Sequence, residues 1–318
     1  MKSHFSLYSY SIPVMGKEQA VICDLANARY TKIPKFLYEV FTDFRDQSIT
    51  VLEQSYKDTQ GTIVKYLNLL EERKIGLFTD TPECYNTINL DWRYAQEILW
   101  GVVDILDYKS YDCLDVMEQI INLNCTYIEI RFFGNYHVKD IEELLELTER
   151  SGIRCIDFVI PDTPQLDQTL KLYDKYMKVN SFLIYGSDRE FQLEDKRIYS
   201  TKRKLQHDSA MENIPRDEFI ITPEFFSESQ KFNPFYNRKV CIDSYGKIKN
   251  CTTHTAHFGD VRVDRIAEVV KSDEFREMWY TCPDKIIDVR DWEFRYIWLN
   301  THELRKIDED LYEIKNGN

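Results

Sequence analysis

The spacing of apolar and polar positions divides this chain into three regions. In residues 1–90, short apolar runs alternate with amphipathic stretches. FSLYSYSIPV reads as an aromatic-rich strand, and AVICDL and ARYTKI as two strands joined at a tight Ala-Asn turn. PKFLYEVFTDF has apolar residues at helical spacing behind Pro34, a residue suited to a helix start. SITVLEQSYKD places Ser48 where it can cap a second helix. TQGTIVKYLNLLEERKIGLF predicts a third, with Thr59 as its cap and Gly76 as its stop. LFTDTP predicts a closing strand. Two or three strands with three helices is the pattern of a winged helix-turn-helix.

From residue 91 the rhythm changes. EILWGVVDIL, CTYIEIRFFG, IRCIDFVIPD and NSFLIYGS are apolar runs of strand length, and between them YDCLDVMEQIINLN, VKDIEELLELTERSG and QLDQTLKLYDKYM have helical periodicity. Strands alternating with helices at this spacing predict βαβ units, a parallel sheet and right-handed crossovers. Four units are too few for a closed eight-stranded barrel, so an open or partial barrel is expected. Residues 200–240 predict another strand or two with long connections. KVCIDSYGKIKNC predicts a hairpin turning at Ser244-Tyr245-Gly246, VDRIAEVVKSDEFREMWY a helix, and HELRKIDEDLYEIKNGN a charged helix running to Gly317. The expected fold class is therefore α+β and α/β: a winged-helix region at 1–90, a partial βα barrel at 91–235 and a third domain at 236–318.

Composition narrows the class of function. At 318 residues and 43% apolar content the chain can bury sizeable cores. It has no apolar run of transmembrane length, and its start lacks the apolar stretch of a secretory signal, so a cytoplasmic protein is expected. A net charge of −13 argues against broad contact with nucleic acid or anionic membrane. DNA regulation is further disfavoured by Glu71 and Glu72, which stand beside Lys65 and Arg73 on the third helix. Most of the eight cysteines sit singly in apolar segments, as buried thiols do, and there is no CxxC or CxxxCxxC. No Gly-rich phosphate loop, Ser-His-Asp ordering or HExxH is visible.

Two constellations carry candidate chemistry. Cys241, Cys251, His254 and His257 form C-x9-C-x2-H-x2-H, two thiols and two imidazoles that make zinc a candidate cofactor. His302 and Cys282 are substitute ligands; the competing reading is two cysteines left from a cluster ancestor beside two loop histidines. In IEIRFFG, Glu129 and Arg131 lie on one face of a strand, either to meet a substrate or, as favoured, to pair with each other.

The stretches AVICDLANARYTKIPKFLYEVF and VKYLNLLEERKIGLF resemble the PqqD-like fold, or RiPP recognition element. CIDSYGKIKNC, FGDV at Phe258–Val261, SDEFREMW and EFRY at Glu293–Tyr296 resemble a SPASM domain. In order and spacing the whole is most similar to the SPASM-domain protein of grasp-with-spasm peptide maturation systems, which accompanies an ATP-grasp ligase. The chain departs from that pattern where a SPASM domain has cysteines: Val289, Trp292, Trp298 and Thr301 or His302 occupy those positions. After EILWGVVDIL, DYKSYDCLDV carries one cysteine where a radical SAM barrel has three. Iron–sulfur clusters require thiolates, usually four each. The expectation is thus a non-catalytic partner, in which the segment WEFRYIW keeps the shape of a metal segment refilled with apolar side chains.

The resemblance implies that a precursor (leader) peptide binds by strand addition at Ala28–Ile33, lined by Arg29, Tyr30, Thr31 and Lys32, with Lys65 and Leu69 from the third helix. The peptide would then be presented to an ATP-grasp ligase. The alternative is a radical SAM/SPASM-type iron–sulfur enzyme acting on a peptide. No catalytic residue is assigned, and neither nucleic acid nor membrane is expected as partner.

Overall fold

The computed structural model describes residues 3–45, 47–56, 61–188, 190–193, 196–207 and 219–315. The chain forms two compact units, one of Met1–Arg93, Ile214–Pro234 and Thr281–Asn318, the other of Tyr94–Asn213 and Phe235–Tyr280. The regions expected at 91–235 and 236–318 thus each contribute to both units.

The first unit begins with β1 (His4–Leu7) and β2 (Ser11–Met15). The sequence suggests one strand here, but the chain breaks at Ser9-Tyr10 and the two halves join different sheets. β2 pairs with β3 (Ala20–Asp24), which pairs with β4 (Arg29–Ile33), all antiparallel. Next come α1 (Lys35–Thr42), α2 (Ile49–Ser55), α3 (Thr62–Glu72) and β5 (Gly76–Thr79), the last pairing with β1. Pro34 stands at the N-cap of α1, and the Ser48 hydroxyl accepts from Val51 N–H to cap α2. The expected Thr59 cap of α3 lies outside the described residues; Gly61 holds the N-cap position.

The stop of α3 is not Gly76. The chain turns at Lys74, whose φ of 55° is left-handed. Lys74 N–H donates to Glu71 O at 2.9 Å and Ile75 N–H to Leu70 O at 2.9 Å, a Schellman closure with Leu70 and Ile75 both buried. Gly76 is required for a different reason: a Cβ there would come within 2.5 Å of Ser6 O in β1 and 2.6 Å of the Phe5 ring.

The second unit is built on β6 (Trp100–Ile105), α4 (Cys113–Asn122), β7 (Tyr127–Phe132), α5 (Val138–Thr148), β8 (Cys155–Pro161), α6 (Leu166–Lys175) and β9 (Val179–Tyr185). These are the alternating elements the periodicity predicts. β10 (Gln192–Leu193) and β11 (Ile198–Thr201) follow. The chain then contributes α7 (Pro223–Ser229) to the first unit before returning as β12 (Lys239–Ile242), β13 (Lys247–Lys249) and β14 (Gly259–Asp260). The result is a nine-stranded mixed sheet, ordered β10-β11-β9-β8-β7-β6-β12-β13-β14, with β11 through β12 parallel. An α/β class is therefore correct for this unit, and α+β for the first. The hairpin at Ser244-Tyr245-Gly246 forms as expected, with Cys241 opposite Lys249 and Gly246 at a φ of 78°.

Three expectations fail. ITPEFFSESQ is helical: Thr222 caps α7 by accepting from Phe225 N–H, and Pro223 sits in its first turn. The helix expected over 263–280 is broken into α8 (Ile266–Val269), α9 (Asp273–Arg276) and a 3-10 turn, because Ser272 caps a new helix by accepting from Phe275 N–H. The charged tail is a hairpin, β15 (Leu304–Asp308) and β16 (Leu311–Ile314), turning at Glu309-Asp310; Gly317 lies outside the described residues. Tyr312 is buried and bridges to Ile286, so tertiary contact overrides helical propensity.

The first unit has two cores, one on each face of β2-β3-β4. Ala20, Ile22 and Ile33 pack with Leu37, Leu67 and Leu70 of the helices. Val21 and Cys23 pack with Phe226 of α7 and with Phe294 and Ile297. Period two puts neighbouring residues of β3 into different cores. Among the described residues, no helix is long and apolar enough to cross a membrane.

Two substitutions at the end of α3 are expected to act in opposite directions. Lys74→Gly relieves the left-handed backbone and stabilises by about 0.5–1 kcal/mol. Gly76→Ala drives a methyl into β1 and destabilises by about 1–3 kcal/mol. Urea unfolding followed by circular dichroism measures both.

Candidate functional site

The edge expected to take a peptide is held by one buried carboxylate. Asp24, 1% exposed, accepts from Asn27 N–H at 3.2 Å, from Asn27 Nδ2 at 2.9 Å and from Arg29 Nε at 2.7 Å. These bonds close the β3–β4 turn, where Ala28 takes a φ of 50°. Arg29 also donates to Arg73 O at 2.7 Å, tying the start of β4 to the carbonyl end of α3, where a cation is favoured.

The six expected binding residues fall on two sides of the sheet. Arg29 and Thr31 stand opposite Asp24 and Ile22, and Tyr30 and Lys32 opposite Cys23 and Val21. Tyr30 is 38% exposed and packs edge-on against Phe294, with centroids 4.8 Å apart, and against Phe219 at 5.6 Å. Lys32 Nζ lies 5.7 Å from the Phe294 centroid, in cation–π range. Lys65 and Leu69 are both exposed on one face of α3, four residues apart. Beyond its pairing with β3, β4 has no ladder partner among the described residues.

The zinc candidates have separate partners. Cys241 Sγ donates to Asn250 O at 3.3 Å, Cys251 Sγ lies 3.2 Å from Thr253 Oγ1, and His254 Nε2 lies 3.1 Å from Tyr236 Oη. His257 is exposed. The substitutes Cys282 and His302 belong to the first unit. Among the described residues, no group of three or more His, Cys, Asp or Glu is placed to hold a metal ion.

Glu129 and Arg131 do pair, and in a larger network than the sequence suggests. Arg131, 3% exposed, donates from Nε to the Glu129 carboxylate and from Nη1 to Thr252 Oγ1 at 3.3 Å, and lies 3.7 Å from Asp104 Oδ1 in the adjacent strand. Asp243 and Lys249 form a second pair at 2.7 Å. β6 and β12 are parallel neighbours whose following connections leave in opposite directions, the position where open α/β sheets bind ligands. Here it is occupied by paired charges. Asp104 and Thr252 had no signal in the sequence, because they meet Arg131 only through strand register and the hairpin.

The segment Trp292–Glu303 forms a series of turns with no helix. It lines a cavity of about 730 Å³ in the first unit. Val289, Trp292, Trp298 and His302 all contribute to its wall. The Trp292 and Trp298 rings are 5.6 Å apart at 75°, and His302 lies 6.3 Å from Trp298. Lys17 and Glu293 also line it. Gly16 is needed here: a Cβ would come within 2.6 Å of Glu293 Oε2 and 2.8 Å of Gln19 O. A second cavity of about 280 Å³ lies beside β1 and β2, where Arg45 donates to Tyr85 O at 2.6 Å.

No family model matches the chain, and no curated protein matches it. Among solved structures, the crystal structure of Streptococcus suis SuiB is similar at a TM-score of 0.29 and 11% identity, over 92% of this chain and 94% of that one.

The buried thiols set the response to alkali. Burial pushes Cys23 and Cys125 up to about 12, and burial with the nearby carboxylates of Asp112, Asp140 and Asp107 does the same for Cys113. Each native thiol keeps its proton where the unfolded one loses it. Their stabilisation is therefore full below the ordinary thiol value and is lost as pH rises toward 12. Each contributes a slope of about 1.4 kcal/mol per pH unit. The urea midpoint is expected to fall steadily above pH ~9. In Cys23→Ala the fall should be shallower by one such slope.

Proposed function

We propose that this chain captures a ribosomally made precursor peptide by strand addition on β4 and presents it to an ATP-grasp ligase. In this reading the first ninety residues are a PqqD-like recognition element, and the remainder is a degenerate radical SAM and SPASM-like frame that serves docking rather than redox chemistry. The observation that carries it is the outer edge of β4, Arg29–Ile33, which has no strand partner among the described residues. The opposite edge of the same sheet, β2, contains Pro13, which cannot donate to an added strand. β4 contains no proline.

A peptide laid along β4 would alternate its side chains between two surfaces. On the helix side it meets Arg29, Thr31, Lys65 and Leu69; on the other it meets Tyr30 and Lys32 over the Phe294 ring. Each backbone hydrogen bond adds about 0.5–1.5 kcal/mol net, so a few residues of ladder give modest affinity that side-chain contacts must raise. Lys32 and Lys65 add positive charge beside the Asp24–Arg29 ion pair on a chain of net charge −13, which suits an acidic leader. Asp24 and Arg29 keep the edge preformed, which lowers the ordering cost of binding. The bond-forming step belongs to the ligase, and this chain supplies position.

The test is a titration of a labelled synthetic peptide copying the leader of a short reading frame adjoining the gene. Lys65→Glu combined with Leu69→Ser should weaken binding at least about tenfold, or ~1.4 kcal/mol, with an unchanged melting temperature. Affinity should also fall as salt is raised, since the contacts are exposed. Equal affinity in the wild type and the double variant would remove β4 and α3 as the binding edge.

A further inference from the structure

The cavity beside Trp292 and Trp298 carries a charge that its own wall does not neutralise. Glu293 lines it and is 6% exposed. Among the described residues its carboxylate receives one hydrogen bond, from the neutral amide Gln19 Nε2, and no ion pair. A buried carboxylate without a cation is costly, so a cavity wall that holds one favours a positive ligand. Glu18, Asp288 and Asp291 also line the cavity and are exposed, against one cationic side chain, Lys17. Asp291 is paired with Arg290 at 3.7 Å, whereas Asp288 accepts only from a backbone N–H, that of Ile314 at 2.8 Å, among the described residues, so Asp288 and Glu18 keep the surroundings of Glu293 acidic.

The rest of the wall is suited to the same charge. Two indoles set at 75°, with centroids 5.6 Å apart, form the corner of a box, and indole faces attract cations through their quadrupole. A cavity of about 730 Å³ lies within the range, roughly 300–1,000 Å³, that holds small organic ligands. An anion would meet four carboxylates, and a purely apolar ligand would leave Glu293 buried and uncompensated.

We propose that this cavity binds an alkylammonium group, with the charge against Glu293 and the methylenes along Trp292 and Trp298. The group comes from a lysine side chain of a peptide or from a small free amine. This site stands apart from strand addition on β4 and does not depend on it. Lys17 is the internal competitor. It lines the same cavity but makes no ion pair with Glu293, so Lys17→Met should leave ligand binding intact or tighten it.

The experiment titrates the full chain, with its indoles labelled for NMR, with N-acetyl-lysine methylamide, n-butylammonium and the neutral N-acetyl-norleucine methylamide. The Trp292 and Trp298 indole N–H signals should shift with both cations, saturating near millimolar concentration, with the neutral analogue at least about tenfold weaker. Glu293→Gln keeps the shape of the side chain and should weaken the cations at least about fivefold, without weakening the norleucine analogue. The lysine analogue binding tighter supports a peptide source; n-butylammonium binding tighter supports a free amine. The proposal is overturned if the norleucine analogue binds equally well, if Glu293→Gln retains full cation affinity, or if no indole signal moves.

Discussion

The first unit depends on one constraint: β3 is buried on both faces. All five of its residues are buried, and the four apolar ones alternate between two cores. One sheet face alone would need only the helices α1 to α3. The second face requires another apolar layer, which comes from α7 and the turns around Phe294 and Ile297, far along the chain. Removing that layer would expose Val21, Cys23, Ile12 and Val14 to water at about 25 cal/mol per Å². The aromatic content of WEFRYIW therefore has a structural cause that holds whatever else the segment does.

The same constraint shapes the edge and the cavity. With both faces of the sheet covered, only strand edges remain for a partner. Pro13 blunts β2, and Asp24 with Arg29 stiffens β4. The turns that cover the second face cannot be a regular helix, because Phe294 and Ile297 must point inward while Trp292 and Trp298 meet each other. Their irregular path leaves a hollow beside the sheet.

Buried charge is handled in two contrasting ways. Arg131 lies among Glu129, Asp104 and Thr252, each within reach, so the buried cation at the ends of β6 and β7 is paired inside its own network. Among the described residues, Glu293 has an amide and no cation. The first arrangement fixes strand register in the sheet, and the second leaves an electrostatic demand that a ligand can meet. The separation follows from distance alone: Arg131 reaches a neighbouring strand, whereas Glu293 is enclosed by Gly16, Gln19 and the indole-lined hollow.

Local pattern determined much of this protein. The βαβ alternation from Trp100 to Tyr185, the Ser48 cap, the β3–β4 turn and the hairpin at Gly246 all follow from periodicity and turn chemistry, because each is decided by neighbours in sequence. Thr222-Pro223 and Ser272 are likewise local signals, each capping the helix that follows it. Tertiary structure alone decided the tail and the sites. Leu304–Ile314 is rich in helix formers yet pairs as strands, since burying Tyr312 against Ile286 outweighs a propensity of tenths of a kcal/mol per residue. The meeting of Arg131 with Thr252, and of Glu293 with Gly16 and Gln19, leaves no trace in spacing. Such contacts join residues more than a hundred positions apart, and only the folded register brings them within reach.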